Sequence, residues 1–259
     1  MNEWMHGLPV LWMAIVVFLA TYAVTGCIYA LVIAVAKGER ARAFKAVSPG
    51  MLPPLGIIFG LFVAFLASQV WRDLDRAQEA VSHEASALRA AVLLIGSFPG
   101  EPEARMKRLI RLQIEEAVTQ EWPAMSRHRA TLTMVPAPLT EALQMTLALE
   151  PRTDGQVAAQ REIVVALGNA LDARRQRIIV SESGVNWVKW TSVILQAICA
   201  MLAIALVHSD NRVAAALAMG MFATGIAVSI VLVVSHSGPF SGQISVGPEL
   251  LLQVLPHDP

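Results

Sequence analysis

Few side chains in this chain are placed to do chemistry. His83-Glu84 lacks a second His four residues after the first, the spacing a zinc-protease helix needs to put two imidazoles on one face. The six histidines (His6, His83, His128, His208, His236 and His257) are scattered without a ligand-spaced partner, so no metal site is read from them. No phosphate loop or dinucleotide fingerprint is present, and no cofactor is implied. Polar groups in the long apolar runs amount to Gln196 with Thr21, Thr25, Ser68, Thr191 and Ser192, residues that join helices more readily than they catalyse. The chain therefore reads as a non-enzyme with no catalytic residue. Glu84 stands out differently: its spacing puts it inside a helix seam, and a buried carboxylate needs a partner. Arg161 and Arg174 are the candidates, for an ion pair or for a ligand site.

The elements that would hold these residues are apolar and long. Leu8–Ala36 runs 29 residues without a formal charge, and Met51–Trp71, Thr191–Val207 and Val213–Val234 follow. A hydrocarbon core roughly 30 Å thick needs about 20 apolar helical residues to cross it, and lipid forces the backbone to satisfy itself. The expected fold is an all-α membrane protein. Four transmembrane helices form two hairpins, residues 1–71 and 185–235, flanking an extramembrane antiparallel helical bundle at 72–184, with a short turn-rich tail at 236–259. The insert carries 14 of the 20 Lys/Arg and 15 of the 20 Asp/Glu. That balance argues against nucleic acid as a partner and leaves the lipid bilayer, further copies of the chain and ions. Cys27 and Cys199 fall inside spans and read as packing residues. No cleavable secretory signal is expected from the first run.

The second span should not stop at the membrane surface. Leu74, Val81, Leu88 and Ile95 repeat every seven residues, with Ala77, Glu84 and Ala91 between them, which predicts a coiled-coil-like seam ended by Phe98-Pro99-Gly100. A helix should start at Glu101-Pro102-Glu103, bury Met106, Ile110, Ile114, Ala117 and Val118, and close at Glu121-Trp122-Pro123. Further helices are expected over Leu139–Leu149 and after Asp154-Gly155, the latter burying Val157, Val164, Leu167, Leu171 and Ile178 and feeding the third span. After the fourth span, the Pro/Gly cluster reads as an exit turn, with Phe240 suited to anchor at the membrane interface.

Small residues recur every four positions within the spans. Gly56, Gly60, Ala64 and Ser68 do so in the second, Gly26, Ala30, Ala34 and Gly38 in the first, and Ala216, Gly220 and Thr224 in the fourth. Such stripes let backbones approach closely, either within one subunit or between subunits. About 200° around the second helix lie Ile58, Phe62, Phe65 and Gln69, which would face lipid in a monomer. In an assembly they would ring a hydrophobic constriction, with Gln69 at its mouth. Lys37, Arg40, Arg42 and Lys45 in the first hairpin loop and Arg212 in the second argue that both loops are cytoplasmic. The expected location is the cell membrane, with both termini and the bundle extracytoplasmic.

Four segments then carry a resemblance: Phe59-Gly60-Leu61-Phe62-Val63-Ala64-Phe65 leading to Trp71, Glu84-Ala85-Ser86-Ala87-Leu88, Glu121-Trp122-Pro123, and Pro239-Phe240-Ser241-Gly242 with Ile244 and Val246. With Arg174 and Arg177 before the third span, they make the chain similar to the bestrophin-like domain family of bacterial and plant membrane proteins. Ser235-His236-Ser237-Gly238 departs from that pattern, where an acidic-basic pair commonly precedes Pro-Phe. The resemblance implies kinship with bestrophins, oligomeric anion channels whose second membrane helix lines the pore and whose helical domain is cytoplasmic. Two functions follow as expectations: a homo-oligomeric ion channel, or a membrane-anchored sensor or scaffold whose bundle binds a partner or ligand.

Overall fold

The computed structural model describes residues 9–36, 44, 49–132 and 136–256. Gly38 and the loop cations Lys37, Arg40, Arg42 and Lys45 lie outside the described residues, as do His6 and His257. The chain is all-helical. Val10–Val35, Leu52–Ser97, Trp187–Val207 and Arg212–His236 are long and apolar enough to cross a bilayer, which makes this a membrane protein. The chain divides into two compact units, Met1–Trp71 with Gly184–Ser237, and Arg72–Ser183 with Gly238–Pro259.

The membrane unit holds α1 (Val10–Val35), the first part of α2 (Leu52–Leu94), α7 (Trp187–Val207) and α8 (Arg212–His236). Asn186 and Asn211 cap α7 and α8, each accepting from a backbone N–H in the first turn, at 2.7 Å from Val188 and 3.1 Å from Ala214. The Asn186 cap starts the third span at Trp187, four residues before its expected Thr191. α1 buries Met13, Val17, Thr21, Thr25 and Val32. Its Tyr22 and Thr25 reach α8 and α7 through Thr224 Oγ1 (2.7 Å) and Met201 Sδ (3.3 Å). α2 contributes Phe59, Leu66, Ala67 and Val70 to the same core as Val193, Ala197 and Ala223.

The bundle unit holds the rest of α2, then α3 (Glu101–Glu116), α4 (Trp122–Ser126), α5 (Ala137–Leu147) and α6 (Asp154–Ser181). The expected seam of α2 is buried: Ala77, Val81, Glu84, Ala91 and Ile95 are fully inaccessible and Leu88 nearly so, while Leu74 is half-buried. Gly100, at φ 98°, ends the turn after α2 in a conformation L side chains rarely adopt. α3 buries Met106, Ile110 and Ile114 as its periodicity requires. α6 is capped by Thr153, which accepts from the Gln156 N–H at 3.2 Å.

Three expectations change here. The chain does not stop at Glu121-Trp122-Pro123. Ala117–Glu121 forms a π-helical turn in which the Trp122 N–H bonds to the Ala117 carbonyl, and helix resumes through Ser126. Pro123 has no N–H to offer and sits in the first turn of that new segment, so the proline is absorbed rather than terminating. Leu167 and Ile178 of α6 are buried as expected, but the rest of its buried line is Ala159, Ile163, Ala170, Arg174 and Arg177, leaving Val157, Val164 and Leu171 at its edge. Alanines and two arginines, which a hydrophobicity pattern underweights, make that line. Phe240 is not an interface anchor: it is buried in the bundle core beside Leu251 of α9 (Glu249–Leu252), and the tail is part of this unit.

Candidate functional site

In the membrane unit, Ile58, Phe62 and Phe65 are exposed, Phe65 to 66%. Gly56, Gly60 and Ala64, on another face of the helix, are also exposed and Ser68 is half-buried. A Cβ added at Gly56, Gly60, Gly26 or Gly220 would meet nothing within 4 Å. Gly26, Ala30, Ala34 and Ala216 are also exposed, and Gly220 is half-buried. Within one chain the described members of these stripes are largely uncovered, and Thr224 makes an interhelical hydrogen bond with Tyr22. Gln69 accepts from Lys189 Nζ of α7, so its amide already has a cation at the end of the apolar run. The bulky face and the small-residue face of α2 are both uncovered.

In the bundle unit, the motif segments converge. Arg177 of α6 is fully buried and forked: its Nε and Nη2 donate to the Glu84 carboxylate at 2.7 and 3.1 Å, and Nη2 also reaches Glu121 at 2.8 Å. Arg174, one turn earlier, donates through Nε to the other Glu121 oxygen at 2.7 Å. Two carboxylates and two guanidiniums thus neutralise one another, as charges removed from water must. The partner of Glu84 is Arg177, not the expected Arg161 or Arg174: Arg161 is exposed, and Arg174 is spent on Glu121. Burial pushes the Glu84 carboxyl above its usual range, with Arg177 pulling the other way. Arg177 is held above its ordinary value: burial works against its charge, but Glu84 and Glu121 outweigh it.

Trp122 roofs this cluster. Its ring lies 4.5 Å from the Arg177 guanidinium carbon and meets Phe240 edge-on at 5.8 Å. Its indole N–H donates to the Val246 carbonyl at 3.1 Å, and the Val246 N–H closes back on Pro239 at 2.8 Å. Gly242, at φ 87°, turns this loop. Gly238 passes close to Ser241: an added Cβ would sit 2.0 Å from its Oγ, so the hydroxyl would have to turn away. The arrangement joins α2, the π-turn, α6 and the tail. Glu121 as a second carboxylate was missed by sequence reasoning. The signal was available in Arg174 and Arg177, whose three-residue spacing puts two cations on one face and calls for more than one anion. Among the described residues, no group of three His, Cys, Asp or Glu side chains could hold a metal ion.

Fold and cluster together define a class: an all-helical membrane protein in which a second helical unit is locked around buried ion pairs. The bestrophin-like domain model matches residues 19–251, and the chain belongs to the bestrophin-like family. Solved structures agree on the fold. A point variant of a bacterial bestrophin homologue from Klebsiella pneumoniae is similar at TM-score 0.69 and 10% identity, over 93% of this chain and 97% of that one. A structure described as a membrane protein variant aligns at TM-score 0.68 and 13% identity, over 93% and 95%. No curated protein matches the sequence.

Proposed function

We propose that the chain assembles into a homo-oligomeric ion-conducting pore with α2 along the axis. The observation that carries this reading is the pair of uncovered α2 faces. Gly56, Gly60 and Ala64 offer a second copy a close approach. Ile58, Phe62 and Phe65 then meet their equivalents at a constriction that gates by dewetting. The family supports the reading, since bestrophin resemblance implies a pore lined by this helix. The test is conductance of purified full-length protein in planar bilayers, with crosslinking to count subunits. Discrete currents that grow in Phe62→Ala are expected. A monomer with no current would sink the pore, and a specific crosslinked partner in its place would favour the scaffold reading.

The bundle and both termini are proposed to be extracytoplasmic, on the loop charge at Lys37, Arg40, Arg42, Lys45 and Arg212. The bestrophin arrangement is the reverse. In a Cys27- and Cys199-free background, an impermeant thiol reagent on intact cells should label Arg152→Cys and spare Arg42→Cys; the opposite pattern inverts the map.

A further inference from the structure

The core seam of α2 has a second heptad line beside it. Val81, Leu88 and Ile95 face the bundle interior, and one position earlier Ala80, Ala87 and Leu94 repeat with the same period. These three line an open trough of about 830 Å³ between α2 and α6, wholly within the bundle unit. α6 supplies Ala166 and Ala173, also seven apart, and Glu162, Asn169 and Gln176 on the same repeat.

Side chains recurring every seven residues on two neighbouring helices are the pattern that seats a third helix, whose knobs enter the holes between them. Here the floor is alanine, and large residues pack best against small ones across a seam, so the knobs must be long. Alanine has no rotamers, and this floor cannot swing shut. Val165 on the α6 wall is left 53% exposed.

The walls are acidic. Glu79, Glu162 and Asp172 are exposed and make no ion pair among the described residues, whereas Arg76 is turned to Asp73 at 3.5 Å. Glu162 and Asp172 stand about 15 Å apart along α6 at 1.5 Å per residue, too far to share one small ion. Carboxylates spread over that length call for an extended occupant with cations along it.

We infer that the trough seats a basic amphipathic helix of a partner protein, about four turns long. Large aliphatic side chains lie over the alanines, and Lys or Arg beside them reach Glu79, Glu162 and Asp172. The chain's own exposed bundle faces bring gaps or acids instead. Arg161 and Arg175 of α6 flank Gly168, Arg89 of α2 shares its face with Asp75, and Arg108 and Leu112 of α3 lie between Glu101 and Glu115. The inference concerns the bundle alone and holds with or without a pore.

The probe is a labelled synthetic peptide of three heptads, with Leu at the seam positions and Lys flanking them; its control carries Glu for Lys. Binding is read by energy transfer from a dye on Ser86→Cys, in Cys27- and Cys199-free full-length protein in nanodiscs of zwitterionic lipid. The Lys peptide is expected to bind about tenfold tighter than the Glu peptide. The triple variant Glu79→Gln, Glu162→Gln, Asp172→Asn, all at exposed positions, should erase that difference. Ala166→Trp, which fills the floor, should abolish binding at an unchanged unfolding temperature. Equal affinity of the two peptides, binding unmoved in the triple variant, or no saturable transfer with either peptide overturns the inference. Ready disulfide formation between Ser86→Cys on one copy and Arg161→Cys on another gives the trough to a second copy and overturns it too.

Discussion

The two units use the same helix in opposite ways. In the membrane unit the inward face of α2 is Phe59, Leu66, Ala67 and Val70, and its outward faces are apolar and uncovered. In the bundle the inward face carries Glu84, and the outward face is polar. An apolar contact tolerates sliding, because one hydrophobic neighbour substitutes for another. A forked Arg–Glu contact holds in one geometry, because a buried charge shifted off its partner is uncompensated. The bundle is therefore fixed in register, while the membrane unit leaves apolar faces of α2 uncovered.

The sharpest way to break this contrast is Arg177→Met, which keeps the bulk, strands Glu84 and leaves Glu121 with Arg174 alone. It should cost about 3–5 kcal/mol in thermal unfolding in detergent, far more than an equally conservative change in the membrane unit. Phe240→Ala should cost about 3 kcal/mol and free the tail, read as faster proteolysis after Val234. A loss confined to the tail, with unchanged unfolding, would separate the strap from the core.

A smaller effect follows from Glu84. The folded bundle holds this proton to higher pH than the unfolded chain does. Its contribution to stability is thus full below the ordinary carboxylate range and is lost as pH rises through the raised folded value. Glu84→Gln should flatten that part of the melting-temperature profile; an unaltered slope would assign it to another group. The smallest effect on the single chain is expected from Gly60→Leu, within about 0.5 kcal/mol, because nothing lies within 4 Å of an added Cβ. The same substitution should abolish the oligomer seen by crosslinking, and an intact oligomer would move the contact elsewhere.

Much of the bundle was legible because its periodicity is strong: Val81, Leu88 and Ile95 at seven-residue spacing, and Met106, Ile110 and Ile114 at four. The α6 face was less so, because Arg174 and Arg177 are core residues whose burial depends on carboxylates about 53 to 93 positions away, which no local window contains. The proline at 123 misled for a related reason. Proline is read as a stop, and the π-turn that accommodates it depends on tertiary packing. Phe240 misled because an aromatic after a membrane span satisfies two rules equally, and only Trp122 decides between them.

The π-turn also sets a phase. Ala117–Glu121 takes up one residue more than an α-helical turn would, and at its end Glu121 and Trp122, neighbours in sequence, are both buried. Continued as unbroken α-helix, the same residues would carry every side chain after the turn about 100° further around the axis than it now lies. Deleting Thr119, an exposed residue that hydrogen-bonds only within its own helix, should remove the extra residue and let the segment close into an ordinary helix with Trp122 still turned inward, whereas one further residue inserted there would turn it away by about 100°. Insertions and deletions are usually tolerated at exposed positions; at this one the count of residues, not their identity, is what the charge cluster depends on.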